Sequence, residues 1–240
     1  MAFQVAPGDL TPAVAAVRAL GIGGLSVTMP HKAAILPLLD DVSASAVALD
    51  AVNSVRVVDG RLAGDNTDGR GFVAGLSSAG FHPAGATVGV IGAGGAARAI
   101  IAALGAADAA SVVVVNRTPD RAEAAAALAG DVGRVGVVGD LADVDVIVNA
   151  TSVGMATAAR GETPVLPMDV SLIGPDQVVV DAVYHPVRTP LLLAAAAAGA
   201  RTVDGLGMLV GQAAVSFEWW TGVAAPLAAM QAAAVAALEA

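Results

Sequence analysis

The second half of the chain alternates between short apolar runs and longer stretches of helical period. Residues 88–91, 112–115, 145–149 and 178–181 are runs dominated by Val and Ile, of a length that suits strands buried on both faces. Between them, 95–105, 119–129 and 189–199 carry small and apolar residues at helical spacing. This alternation predicts a parallel sheet with helices on both faces. The first half is more broken. Phe3–Val5 reads as the tail of a strand, and Leu10–Leu20 as a helix capped by Asp9 with Pro12 in its first turn. Gly21–Gly24 ends that helix, and Leu25–Thr28 is a short strand stopped by Met29-Pro30. A helical stretch from His31 to about Leu39 and another over Ser43–Leu49 follow. Asn53–Val58 and Arg61–Ala63 flank Asp59-Gly60, a strong signal for a two-residue hairpin turn. A helix over Arg70–Ala79 ends at Gly80, and Pro83-Ala84-Gly85 marks a domain joint. After the last strand, Asp204–Gln212 opens a helix that reaches Trp219-Trp220. An alanine-rich helix follows Pro226 and is expected to pack back on the first half. The predicted divisions are therefore 1–83, 84–205 and 206–240.

A chain of 240 residues accommodates one large domain or two small ones, and 56% apolar residues suffice for a full core. Two apolar stretches compete for a membrane role. Leu191–Ala200 is too short to span, and Val223–Ala237 contains Pro226 and Gln231 and is mostly alanine. The N-terminus shows neither the basic start nor the apolar region of a signal peptide, so a cytoplasmic location is expected. Asn149-Ala150-Thr151 matches a glycosylation sequon, which is discounted without a secretion signal. Cysteine is absent, which excludes disulfides and thiolate metal sites. His31, His82 and His185 have no metal-ligand spacing, so no metal is expected. A net charge of −9 argues against nucleic acid or an anionic membrane as partner. An anionic small molecule would have to be held by local cations.

The first candidate chemistry lies where the apolar run Val88–Ile91 meets Gly92, Gly94 and Gly95. A strand turning sharply into a helix leaves the first helical N–H groups unpaired, and with the helix dipole they form a pyrophosphate site. The pattern is G-A-G-G-A-A, with Ala97 where a third glycine often stands. A tight turn alone would also use these glycines; their place between strand and helix favours a dinucleotide. The next apolar run ends in Asn116-Arg117-Thr118, about 20 to 25 residues past the first glycine, where an NAD enzyme usually carries Asp or Glu for the ribose hydroxyl. Here an arginine stands instead, and a guanidinium beside a hydroxyl and an amide suits a 2′-phosphate. The same segment also reads as a solvated turn with Thr118 as N-cap, and both can hold together. The fold class is α/β, with a doubly wound Rossmann sheet in the second half.

Several blocks agree at this point: S-V-T-M-P-H-K, A-V-N-S-V, G-D-N-T-D-G, V-I-G-A-G-G-A-A-R, N-R-T, A-T-S-V-G-M, Y-H-P and D-G-L-G-M-L-V-G-Q-A-A. In order and spacing, over nearly the whole chain, the set resembles the shikimate dehydrogenases. The resemblance implies NADP-dependent, reversible reduction of 3-dehydroshikimate to shikimate in aromatic amino-acid biosynthesis. It implies a substrate domain (an α/β sandwich, here N-terminally shortened) at 1–83, an NADP-binding domain at 84–205, and C-terminal helices at 206–240. The protein would be a monomer or homodimer with a small-molecule substrate.

Residue by residue, the resemblance makes Lys32 and Asp68 the catalytic pair. Lys32 gives a proton to the forming alkoxide, and Asp68 holds the ammonium. Thr28, Asn53 and Gln212 become hydrogen-bonding partners of substrate hydroxyls, and Tyr184 a substrate-side phenol. Gly92, Ala93, Gly94, Gly95 and Ala96 carry over to the pyrophosphate, and Asn116, Arg117 and Thr118 to the adenosine phosphate. Thr151, Ser152, Gly154, Met155, Gly205 and Met208 would lie near the nicotinamide. Three departures accompany the resemblance. Ser26 stands where G-x-N-V-T has Asn, and Asp50 replaces a usual Gly before A-V-N. The blocks also begin at what would be the family's second strand, so its opening strand, S-x-S-P segment and first helix have no counterpart. Those serines hold the substrate carboxylate, so this chain is expected to bind NADP but reduce dehydroshikimate poorly, unless Arg70 or Arg188 substitutes. Quinate as substrate, and a catalytically silent NADP-binding protein, are the alternatives.

Overall fold

The structure, a computed structural model, describes residues 1–155 and 165–239. The chain packs as two compact units, Met1–Thr67 with Val215–Ala225, and Asp68–Ala214 with Pro226–Ala240.

The first unit holds helix α1 (Leu10–Ala19), strand β1 (Gly24–Ser26), helix α2 (His31–Ala34), strand β2 (Asp41–Val42), helix α3 (Ala44–Leu49), and strands β3 (Ser54–Val58) and β4 (Arg61–Asp65). The strands form a four-stranded sheet in the order β1-β3-β4-β2. β3 and β4 make the expected hairpin, closed between Val58 and Arg61. Asp59 (φ 49) and Gly60 (φ 77) both have positive φ, the requirement of a type I′ turn. Leu10, Val14 and Val17 recur at helical spacing on α1 and pack with Val27, Ile35, Ala46, Val52, Val55 and Leu62.

Three local expectations fail in this unit. Phe3–Val5 forms no strand. Asp9 occupies the N-cap position of α1, yet its side chain makes no capping bond. The helical stretch expected over 31–39 stops at Ala34 and continues as a 3-10 turn over Leu36–Leu38. Pro37 explains the break: it has no N–H to donate, and its ring clashes with the carbonyl one turn back. Trp219 and Trp220 serve packing within this unit. The Arg56 guanidinium lies 5.0 Å from the Trp219 ring centroid, and Arg56 Nη1 donates to the Trp219 carbonyl at 3.0 Å.

In the second unit, α4 (Asp68–Ser78) precedes β5 (Thr87–Ile91), α5 (Gly95–Ala106), β6 (Ser111–Val115), α6 (Pro119–Ala126), β7 (Gly133–Val135), β8 (Val146–Asn149), β9 (Val178–Asp181), α7 (Pro190–Ala197) and β10 (Arg201–Val203). Helix α8 (Leu206–Thr221) and helix α9 (Leu227–Glu239) complete the chain. The six strands run in the order β10-β9-β8-β5-β6-β7, and every neighbouring pair is parallel. Alternate residues feed two cores. Val88, Val90, Val112, Val114, Val146 and Val148 face one, while Ile91, Val113, Val115 and Ile147 face the other. β7 and β10 were not expected. Each is three residues at a sheet edge, Gly-Arg-Val and Arg-Thr-Val, partly exposed and without an apolar run.

The packing units divide at Thr67/Asp68 and within α8, whereas the sequence suggested 83/84 and 205/206. Helix α4 belongs with the sheet that follows it because glycines let it approach its neighbours closely. A Cβ on Gly69 would lie 2.8 Å from Ala103 Cβ, and one on Gly75 would lie 2.6 Å from the Gly207 carbonyl carbon. Helix α9, expected against the first half, packs with the second unit. No helix among the described residues is long and apolar enough to cross a membrane.

The Gly75 contact is with backbone, which cannot rotate away. Gly75→Ala gains up to about 1 kcal/mol of helix propensity, while overpacking costs about 1–3 kcal/mol. Net destabilisation of up to about 2 kcal/mol is expected in urea unfolding, and a stabilised variant would show that α4 and α8 can separate at no cost.

Candidate functional site

Strand order in the parallel sheet reverses between β5 and β8, the switch point at whose carboxyl ends such sheets open a crevice. Gly92 follows β5 with φ +114, and a Cβ there would lie 3.0 Å from Thr151 Cγ2 and 3.2 Å from the Ala150 carbonyl oxygen. Only glycine meets both conditions. Its N–H donates to the Val115 carbonyl at 2.9 Å. Gly94 is the N-cap residue of α5 and offers no side chain to the first-turn N–H groups. Gly94 and Gly95 are exposed, and a Cβ on either would meet nothing within 4 Å. Ala93 and Ala96 are half-buried, and Ala97, at the third-glycine position, is packed in the core. The helix start therefore presents uncapped donors to open space, which fits a pyrophosphate.

At the end of β6, Asn116 Nδ2 donates to the Thr118 carbonyl at 3.0 Å and tightens the turn. Thr118 occupies the N-cap of α6 but makes no capping bond. Arg117 is exposed and makes no hydrogen bond or ion pair with the described residues. Its cation is available, as a 2′-phosphate would require.

The loops after β8 and β9 complete this end of the sheet. Thr151 is half-buried, Ser152 and Met155 are exposed, and Gly154 is buried with φ +99. Gly205 is buried so close that a Cβ would lie 2.6 Å from the Ala182 carbonyl oxygen. Met208 is half-buried and packs against the core. Tyr184 is 41% exposed. With Met155, His185, Ala237 and Leu238 it lines a cavity of about 380 Å³. On α8, Gln212 Nε2 donates to the Leu209 carbonyl at 2.9 Å. Asp68 is the first residue of α4 and is buried, where the positive end of the helix favours a carboxylate.

The first unit brings Thr28, Lys32 and Asn53 together through their backbones. The Val27 N–H donates to the Asn53 carbonyl at 2.7 Å, and the Val52 N–H donates to the Lys32 carbonyl at 2.8 Å. Thr28 is exposed and Lys32 half-buried. Asn53 is buried, and its Oδ1 accepts from the Thr67 N–H at 2.8 Å. Its Nδ2 donates to Thr67 Oγ1 at 3.0 Å, and that hydroxyl lies 3.1 Å from Ser216 Oγ. Of the departures, Ser26 is exposed opposite Ser54. Asp50 is the αL cap of α3 (φ 50), the conformation for which glycine is the usual choice.

Sequence reasoning did not single out Thr67, Ser216, Asp181 and Thr189. The one available signal was a polar residue closing an apolar strand, as in V-V-V-D and V-I-V-N. Asn149 shows no exposure, so the sequon is sterically closed.

Three family models match this chain: the shikimate dehydrogenase substrate binding domain over residues 1–55, shikimate / quinate 5-dehydrogenase over 77–169, and the shikimate 5'-dehydrogenase C-terminal domain over 205–235. A shikimate dehydrogenase (NADP(+)) of Citrifermentans bemidjiense is 45% identical across 98% of this chain and 84% of its own length. The chain belongs to the shikimate dehydrogenase family. Among solved structures of shikimate dehydrogenases, that from Thermus thermophilus in complex with NADP(H) and shikimate is 37% identical, with a TM-score of 0.88, covering 98% of this chain and 87% of that one. A quinate dehydrogenase from Corynebacterium glutamicum in complex with NAD is 33% identical, with a TM-score of 0.87 and coverage of 98% and 85%.

Asp181 differs from Asp40, Asp140 and Asp169 of this shikimate dehydrogenase family member, whose carboxyls are lowered by hydrogen bonds. Burial raises it above the ordinary carboxylate range, and hydrogen bonds from Thr189, Val183 and Asn149 offset this only in part. A carboxyl raised on folding contributes most to stability below its unfolded value and loses that contribution as pH rises through the folded value. Asp181→Asn does not titrate. Lowering the pH from 7 towards 4 should therefore stabilise the parent relative to this variant, in urea unfolding at each pH. The opposite slope would mean that the network favours the ionised form.

Proposed function

We propose that this protein catalyses the reversible NADP-dependent reduction of 3-dehydroshikimate to shikimate, in the cytoplasm, as a step of aromatic amino-acid biosynthesis. The observation that carries the reading is the 45% identity to an NADP(+) shikimate dehydrogenase across 98% of the chain. The nucleotide-side geometry supports it, through the open turn at Gly94 and Gly95 and the available guanidinium of Arg117.

Bound NADPH would supply the hydride that reduces the ketone. The chain must then supply a proton to the alkoxide oxygen, and Lys32 is the residue proposed to do so; in the reverse direction its amine takes the proton from the alcohol. Asp68 is the carboxylate that the family resemblance pairs with Lys32. Thr28, Asn53 and Gln212 are proposed to meet the substrate's hydroxyls, with Tyr184 as a substrate-side phenol, since each polar group desolvated without a partner weakens binding by about 1–3 kcal/mol. The Gly92–Ala96 turn would hold the pyrophosphate and Asn116–Thr118 the adenosine phosphate. Thr151, Ser152, Gly154, Met155, Gly205 and Met208 would flank the nicotinamide. Quinate remains a second substrate to test, because a quinate dehydrogenase of the same fold is 33% identical. Parallel NADP-coupled assays with shikimate and quinate decide between them, and activity with neither would overturn the enzymatic reading.

Arg117→Ala should weaken NADP binding by about tenfold or more, the worth of a charge-assisted bond to phosphate, and leave NAD binding unchanged by calorimetry. Equal loss for both dinucleotides would remove the phosphate from Arg117.

Lys32→Ala should lower turnover by roughly two orders of magnitude relative to the parent while NADP affinity stays the same. Turnover at the parental rate would place the proton donor elsewhere.

A further inference from the structure

Where the β8–β9 ladder ends, a buried polar assembly begins that the proposed reaction does not use. Asn149 and Asp181 are register partners at the last rung, and neither they nor Thr189 show any exposure. Both carboxylate oxygens of Asp181 are engaged. Oδ1 accepts from Asn149 Nδ2 at 2.9 Å and from the Val183 N–H at 3.1 Å. Oδ2 accepts from Thr189 Oγ1 at 2.6 Å. Asn149 passes the connection on. Its Oδ1 accepts from the Thr151 N–H at 3.1 Å and from Thr151 Oγ1 at 2.7 Å, and its Nδ2 also donates to the Val153 carbonyl at 3.2 Å. Thr189 Oγ1 in turn caps α7 by accepting from the Leu192 N–H at 3.3 Å.

No cation among the described residues takes part, so a buried carboxylate is held by neutral donors alone. As mere filling, this is a poor choice: a valine would continue the apolar strand without a desolvated charge. What a valine cannot do is accept three hydrogen bonds, one from Asn149 at the end of β8, which itself accepts from Thr151, and two from Val183 and Thr189 in the segment after β9. The segment after β8 carries Thr151–Met155 and the one after β9 carries Tyr184, and both leave the sheet at its ligand end.

We propose that Asp181 is a positioning residue that sets Thr151–Met155 and the segment after β9 for the nicotinamide half of the dinucleotide. The inference rests on the NADP reading above and deepens it. The network does not reach Asn116–Thr118 at the end of β6, so the adenosine half is independent of it. A ligand made of the adenosine half alone, 2′,5′-ADP, separates the two.

Calorimetric titration of NADP and of 2′,5′-ADP into the parent, Thr189→Val, Thr189→Ser and Asp181→Asn provides the test. Thr189→Val keeps the shape and removes the hydroxyl. It should weaken NADP about tenfold or more, since small misplacements at a binding site have large effects, and leave 2′,5′-ADP within about twofold, a result that also shows the variant is folded. Thr189→Ser and Asp181→Asn should restore NADP affinity. The serine keeps the hydroxyl, and the asparagine keeps an acceptor for Asn149 and Val183 while donating to Thr189. If the valine variant fails to fold, Thr189→Ala, which leaves room for a water, takes its place with the same expectation. Unchanged NADP affinity, equal weakening of both ligands, or no rescue by serine would overturn the positioning role. A parent protein that binds 2′,5′-ADP and NADP normally in that case leaves the cofactor reading standing, whereas a parent that binds neither removes both.

Discussion

The parallel sheet has apolar residues on both faces of its central strands, and this constraint shapes the second unit. Val112, Val113 and Val114 point alternately to two cores and none is exposed. Such strands require helices above and below, and a chain that makes only right-handed crossovers can supply both layers only by reversing direction along the sheet. The reversal falls between β5 and β8. A crevice at the carboxyl ends of these two strands is thus a by-product of burying valines. The glycines proposed to use it fit by position: Gly92 where Thr151 crowds the turn, and Gly94 and Gly95 where nothing does.

Electrostatics at this end is local. The chain carries a net charge of −9, so a dinucleotide phosphate gains nothing from the protein's overall field. The proposed local sources of attraction are the uncapped backbone donors at the start of α5 and the exposed guanidinium of Arg117. Beside them, Asp181 is buried among neutral donors and held above the ordinary carboxylate range. The protein thus places its exposed cation where an anion is expected and buries a carboxyl where loops must be held in register.

Close backbone approach is the second recurring device. Gly69 and Gly75 let α4 pack tightly within the second unit, and Gly205 lets the start of α8 lie against the Ala182 carbonyl. These glycines are not turn formers. They stand where a methyl group would collide with main chain, which has no rotamer to give.

Much of this was legible in the order of residues. Val-rich runs at 88–91, 112–115 and 178–181, separated by helical stretches, determine a parallel sheet because a strand buried on both faces has few other ways to be covered. Asp59-Gly60 determines its hairpin because both residues tolerate positive φ. The glycine turn and the arginine that replaces the usual acid were also readable, since each acts through local chemistry and a fixed distance along the chain. Only the tertiary structure decided the rest. β7 and β10 are strands because a neighbour offers them a ladder, with no apolar run to announce them. The membership of α4 and α9 in the second unit depends on which surfaces meet, and Asn149, Asp181 and Thr189 form one network only because parallel pairing sets residues 32 apart at the same rung. Sequence specifies what each segment prefers by itself; hydrogen bonds between distant segments exist only after the sheet has chosen its register.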